Sequence, residues 1–183
     1  MAVSSSRLDA KGYLEALQRL KAAQVDNAVD NASYWMLLAN TGRKSEAITL
    51  AKDYATPPRA SYELVQLARI NTLLGTKEVA LKLMKAFANA FPLSEAVWTM
   101  YASLLLEDKD WEGLRGAALH MRQFPIFRGS LDALANYYEG RADLATGRLE
   151  AADQAFRQAG LSDFRTPGQA MVAAGALLTL EHG

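Results

Sequence analysis

Residues Ser61 to Pro92 read SYELVQLARINTLLGTKEVALKLMKAFANAFP, and this stretch decides the fold. Two amphipathic helices are predicted, separated by Gly75-Thr76-Lys77 and ended by Pro92. The apolar face of the first helix carries Leu64, Leu67, Ala68 and Asn71, and that of the second carries Val79, Ala80, Leu83, Met84 and Phe87. A single hairpin cannot cover two such faces, so further copies are expected on either side of it.

Those copies are recognised by their turns. Aligned on the glycine, they read Gly42-Arg43-Lys44-Ser45-Glu46-Ala47, Gly75-Thr76-Lys77-Glu78-Val79-Ala80, and Gly147-Arg148-Leu149-Glu150-Ala151-Ala152. A further copy, Lys109-Asp110-Trp111-Glu112-Gly113-Leu114, has Lys109 in the glycine position. The four turn positions, 42, 75, 109 and 147, are separated by 33, 34 and 38 residues, so the last interval contains an insertion.

This pattern resembles the tetratricopeptide repeat, a helix–turn–helix unit of about 34 residues. The resemblance extends from about Asp30 to Ala159. It is carried by Ala152-x-x-x-Phe156 and Ala159 after Gly147, by Ala80-x-x-x-Met84 with Pro92, and by Trp98-x-x-Tyr101-Ala102-x-x-Leu105. Glu139 and Asp143 depart from it, because they stand where the family has large apolar residues.

The resemblance implies an all-α fold, an α-solenoid of about four stacked helix pairs with capping helices at its ends. We expect one repeat domain over residues 1–183. Its predicted parts are an N-terminal helix over 6–24, repeats over 30–58, 60–92, 94–123 and 130–160, and a C-terminal capping helix over 166–181.

Composition restricts the function classes. Lys+Arg and Asp+Glu both number 20, and this balance argues against a dedicated nucleic-acid binder, which needs a basic surface. Cysteine is absent, which excludes disulfides and thiolate chemistry. The apolar runs are far shorter than the roughly 20 residues that span a bilayer, so no membrane insertion is expected. We expect a cytoplasmic protein, with the periplasm open if a leader has been removed.

Catalytic and metal sites are not indicated. Thr41-Gly42-Arg43-Lys44-Ser45 lacks the glycine spacing and the preceding strand of a phosphate-binding loop. Asp108 and Asp110 are interpreted as residues of a solvated turn, and His120 as a residue on a helix surface. Neither His120 nor His182 has a partner at metal-ligand spacing. We therefore expect a protein that is not an enzyme and has no cofactor or metal. Gly113 and Gly116 are expected where helices approach closely.

The resemblance also implies a concave groove, lined by the first helix of each repeat, that takes a peptide. The predicted groove residues, carried over by register, are Val29, Ala32, Met36, Asn40, Tyr62, Val65, Arg69, Leu73, Ala96, Thr99, Ser103, Glu107, Leu134, Tyr137 and Arg141. The Lys/Asn/Arg clamp by which some family members hold a chaperone's C-terminal carboxylate in this groove is absent, since its positions are occupied by Ala32, Met36, Gln66, Ala96 and Met100. A peptide with apolar anchors and an acidic residue would suit the groove.

The leading hypothesis is a non-catalytic scaffold or adaptor that binds a protein or peptide partner. Two alternatives stay open. One is a secretion-type chaperone for an apolar segment of an exported protein. The other is that this chain is the helper domain of a larger enzyme, whose catalytic part the sequence does not include. The sequence leaves open whether the chain also forms a homo-oligomer.

Overall fold

A computed structural model describes residues 12, 15, 16, 19, 27–123 and 130–160. These residues form helices and turns without any strand, which confirms the all-α fold class. Residues 12, 15, 16 and 19 are helical, within the predicted N-terminal helix, while the insertion at 124–129 and the predicted helix at 166–181 lie outside the described residues. The chain divides into two compact units, Met1–Phe87 and Ala88–Gly183.

The first unit contains four described α-helices: α1 (Ala28–Asn40), α2 (Lys44–Asp53), α3 (Ser61–Leu74) and α4 (Lys77–Phe87). The second opens with a short 3-10 helix (Ala88–Ala90), followed by α5 (Glu95–Asp108), α6 (Trp111–Arg122), α7 (Ser130–Ala145) and α8 (Leu149–Gly160). Within each unit, successive helices pack as hairpins. The first helices of neighbouring hairpins also touch, α1 with α3 in one unit and α5 with α7 in the other.

The four hairpin turns share one hydrogen-bonding pattern. The residue at each turn position has a left-handed backbone, with φ of 85° at Gly42, 87° at Gly75, 60° at Lys109 and 75° at Gly147. The next N–H donates to a carbonyl five residues back: Arg43 to Leu38 at 2.8 Å, Thr76 to Asn71 at 2.8 Å, Asp110 to Leu105 at 3.0 Å and Arg148 to Asp143 at 2.9 Å. This is the Schellman motif that ends helices. The recurrence in the sequence is thus a recurrence of local structure.

The core of the first unit uses the predicted face of α3. Leu64, Leu67 and Ala68 are all buried, as expected. Asn71 is buried as well, and its amide is satisfied locally, donating to the Leu67 carbonyl at 2.9 Å and accepting from the Thr76 hydroxyl at 2.8 Å. Because a buried amide is costly without partners, these bonds explain how an asparagine can occupy the apolar face.

The contact between α7 and α8 depends on a glycine. Phe156 on α8 is 1% exposed and packs with Tyr137, Leu144 and Ala152. A Cβ atom built on Gly140 of α7 would lie 2.6 Å from Cε1 of the Phe156 ring. The absence of a side chain at Gly140 therefore lets the ring lie directly against the backbone of α7.

The two glycines of α6 differ from each other. A Cβ atom on Gly113 would lie 2.9 Å from Cδ2 of Leu105 on α5, so the predicted close approach is confirmed there. The same prediction for Gly116 is wrong, because that residue is exposed and a Cβ atom would have nothing within 4 Å. Asp110 begins α6, since its carboxylate accepts the Gly113 N–H at 2.9 Å.

Asp143 replaces an apolar repeat position with a buried carboxylate. The residue is 5% exposed, and its carboxylate pairs with Arg148 of the adjoining turn and with Arg115 of α6, whose Nε lies 3.0 Å from Oδ1. Arg115 also donates to the Ala142 carbonyl at 3.2 Å and to the Thr146 hydroxyl at 2.6 Å. A buried charge is tolerated only when it is paired and hydrogen-bonded, and Asp143 meets both conditions.

Candidate peptide-binding groove

A groove of about 330 Å³ lies in the first unit, along the contact between α1 and α3. Each helix contributes a strip of its surface to the lining. The lining residues are Ala32, Ser33 and Met36 from α1, and Gln66, Arg69, Ile70 and Leu73 from α3. The helical repeat explains these strips, because residues three or four positions apart lie on the same face of a helix.

The groove is largely apolar and partly open to solvent. Ala32 and Ile70 belong to the core beneath it, with exposures of 6% and 3%. Met36 is half-buried, while Leu73 is 56% exposed. Leu73 is thus a large apolar side chain in contact with water beside an apolar floor.

Arg69 is the only ionisable residue of the lining. Its side chain is exposed, and it forms no hydrogen bond or ion pair with any residue that the structure describes. Glu63, the nearest candidate partner in sequence on α3, is 8% exposed and accepts the Arg59 backbone N–H at 2.6 Å. None of the described residues therefore occupies the donors of the Arg69 guanidinium.

The structure brings together part of the predicted set. Met36, Arg69 and Leu73 line the groove, as does Ala32, whereas Asn40, Tyr62 and Val65 are not among its lining residues. Tyr62 is 60% exposed and Val65 half-buried on the same helix as Arg69.

The prediction missed Ser33 and Ile70, and it named Gln66 only as a residue at a clamp position of the groove. Ser33 and Ile70 directly follow predicted residues in the chain, and Gln66 follows Val65. A groove between two helices is lined by a strip about two residues wide on each, so adding the neighbours of each predicted residue would have found them.

Several predicted groove residues of the second unit form hydrogen bonds with one another or with Tyr138, the residue next to Tyr137. The Ser103 hydroxyl donates to the Thr99 carbonyl at 2.9 Å, and its oxygen lies 3.1 Å from the Tyr138 hydroxyl. Burial raises the pKa of Tyr138, and the hydrogen bond with Ser103 opposes that rise. Arg141 donates to the Tyr137 hydroxyl at 2.7 Å, with its guanidinium carbon 5.7 Å from the centre of that ring. Arg141 is thus engaged within its own helix, in contrast to Arg69.

His120 lies in an environment that the sequence did not indicate. The prediction of a surface histidine is wrong, because the side chain is half-buried and its ring stacks on Trp98, with centroids 3.6 Å apart and planes inclined by 19°. Burial lowers the pKa of His120, and a hydrogen bond with the backbone of Pro92 acts in the opposite direction. The stack joins the two helices of one hairpin, α5 and α6, through residues that are far apart in the chain, so no local pattern reveals it.

Within residues 12, 15, 16, 19, 27–123 and 130–160, no group of three or more His, Asp or Glu side chains could hold a metal ion. Across that same part of the chain, every helix is too short or too polar to cross a membrane. Comparisons of the chain with models of protein families, with curated proteins and with solved structures found no match.

Proposed function

We propose that this protein is a non-catalytic protein–protein interaction module, and that the groove between α1 and α3 binds a segment of its partner. The observation that carries the proposal is the pairing of Arg69, exposed and without an ion pair among the described residues, with the exposed apolar side chain of Leu73 in one groove. A bound segment with a carboxylate and an apolar side chain would use both.

We further propose that the helix pairs stack as in tetratricopeptide repeats. Four hairpins with the same Schellman turn support this proposal, as does the contact between the first helices of neighbouring hairpins inside each unit. Within a unit stacked in this way the first helices line one surface, and in the first unit the groove lies between them.

The groove chemistry supports binding rather than catalysis. Arginine is not deprotonated in proteins, so Arg69 cannot act as a general base. The remaining lining residues are apolar, apart from one serine hydroxyl and one glutamine amide. Ser33 lacks an adjacent base in the lining to activate it, whereas the arginine fork is well suited to hold a carboxylate through two parallel hydrogen bonds.

Site-specific photo-crosslinking tests the proposal. A photo-reactive phenylalanine analogue replaces Gln66, which is exposed in the groove, or Lys82, which is exposed on α4, in otherwise identical proteins expressed in the native cells. We expect a discrete crosslinked partner with the probe at position 66 and little or none at position 82. Equal crosslinking at both positions, or no adduct at position 66, would contradict a binding role for the groove.

A further inference from the structure

Building on the proposed function, we infer the pattern of the ligand: an extended segment of a protein partner in which an acidic residue and an apolar residue stand two positions apart. The acidic residue pairs with Arg69, and the apolar residue lies against Leu73, Met36 and Ile70. Two features of the groove lead to this pattern: the spacing of its charged and apolar ends, and its polar lining.

The spacing follows from helix geometry. Arg69 and Leu73 are four residues apart on α3, which corresponds to about 6 Å along the helix axis. In an extended segment the side chains of residues two apart point the same way and are separated by about 6.6 Å. A segment lying along α3 therefore presents a carboxylate to one residue and an apolar side chain to the other without bending.

A helical ligand could match the same spacing with residues four apart, because residues four positions apart on a helix are also separated by about 6 Å along its axis. The spacing alone therefore does not choose between an extended and a helical ligand, and the polar residues of the lining make the difference.

The two uncharged polar residues of the lining favour an extended ligand. The Ser33 hydroxyl and the Gln66 amide border the groove, and both residues are exposed, with no hydrogen bond from either side chain to the residues that the structure describes. A helix satisfies most of its backbone groups internally, whereas an extended segment must find partners for its N–H and C=O groups. These two side chains can supply such partners.

The apolar end has the adaptability that a ligand anchor needs. Met36 is half-buried, and its flexible thioether side chain can adjust to aliphatic or aromatic anchors. Leu73 is more than half exposed and would be covered by the anchor, which would recover apolar surface now in water. The charged group of Arg69 and the apolar side chain of Leu73 thus follow one another along the same face of α3.

Selection from a phage-displayed library of random ten-residue peptides tests the pattern. The bait is the full chain, used as wild type, as Arg69→Glu and as Lys82→Glu. The last variant is a matched charge reversal at an exposed position of α4. We expect wild type and Lys82→Glu to enrich peptides with Asp or Glu two positions from an apolar residue. Arg69→Glu should enrich Lys or Arg at the acidic position. A synthetic peptide of the selected sequence should lose at least tenfold in affinity when its acidic residue becomes the corresponding amide.

The outcomes separate the ligand pattern from the proposed function. Selected peptides that bind with no acidic residue, or with a spacing of four, would overturn the pattern while leaving groove binding intact, provided that photo-crosslinking at position 66 succeeds. If no peptide is enriched and crosslinking also fails, both are overturned. If the wild-type chain sediments as a dimer that Arg69→Glu converts to monomer, a second copy of the chain occupies the groove, and the peptide pattern is wrong.

Discussion

Two glycine-to-alanine substitutions in the second unit should have opposite effects on stability. Gly116 in α6 is exposed, and a Cβ atom there would have no neighbour within 4 Å. Gly140 in α7 is buried, and a Cβ atom there would lie 2.6, 2.7 and 3.0 Å from three atoms of the Phe156 ring. The chemical change is the same, and both residues are helical, so the difference reports the contact with Phe156.

The magnitudes follow from two terms. Alanine is preferred over glycine inside a helix by about 1 kcal/mol, and Gly116→Ala should gain this amount in free energy of unfolding. Gly140→Ala gains the same preference but forces a 1%-exposed aromatic ring to move. Overpacking of this kind costs roughly 1–3 kcal/mol, which leaves a net loss on the order of 1 kcal/mol. The two variants should therefore differ by about 2 kcal/mol.

Urea unfolding followed by circular dichroism at constant protein concentration measures both values. A third comparison identifies the cause: in the background of Phe156→Leu, whose shorter side chain leaves space, Gly140→Ala should become stabilising. This double-mutant cycle should give a coupling of about 2 kcal/mol between the two positions. If Gly140→Ala stabilises the wild type as much as Gly116→Ala does, the close approach of α7 to Phe156 is refuted.

Three other predictions concern a turn, a half-buried histidine and the groove. A left-handed backbone disfavours residues with a Cβ atom, so Lys109→Gly should raise the free energy of unfolding by about 1 kcal/mol and Gly75→Lys should lower it. Urea unfolding measures both changes. Since the pKa of His120 is lowered in the folded state, the stabilising contribution of the neutral ring is complete above the unfolded pKa of about 6.5 and is lost as the pH falls through the folded pKa. His120→Gln should make stability less dependent on pH between about 7 and 5 in unfolding curves; an unchanged dependence would contradict this. Arg69→Glu should change the free energy of unfolding by less than about 0.5 kcal/mol yet weaken partner binding at least tenfold in titrations, while Lys82→Glu leaves both unchanged. Wild-type affinity in a folded Arg69→Glu protein would contradict the proposed role of the arginine.

The hairpins could be predicted from the sequence because their signals are local. Helical periodicity set the buried face of α3, and a glycine at a fixed offset identified three of the four turns. The fourth was found at Lys109 only because the spacing required a turn there. Lysine is a poor left-handed residue, so propensity alone would not have selected it.

Contacts between residues far apart in the sequence were much harder to predict. Arg115 lies 28 residues before Asp143, and the stack of His120 on Trp98 links two helices of a hairpin. Neither has a spacing that repeats in the sequence. For the same reason, only part of the groove lining could be predicted from the sequence. The register of each first helix identified Met36, Arg69 and Leu73. The neighbouring residues that complete the lining depend on how α1 and α3 pack against each other.

The surroundings of three charged residues explain why the groove, rather than the second unit, is the better candidate for a ligand. Asp143 is buried, and an unpaired charge there would be very unfavourable, so its two arginines are required by folding. Arg141 already donates to Tyr137 and lies near its ring, so a ligand carboxylate would have to compete with contacts made within α7. Arg69 is exposed and forms no ion pair with the described residues, so that part of the fold gains little from its charge. A cation that folding does not need, placed four residues from an exposed leucine on the same face of α3, is the one whose substitution should affect binding and leave stability unchanged.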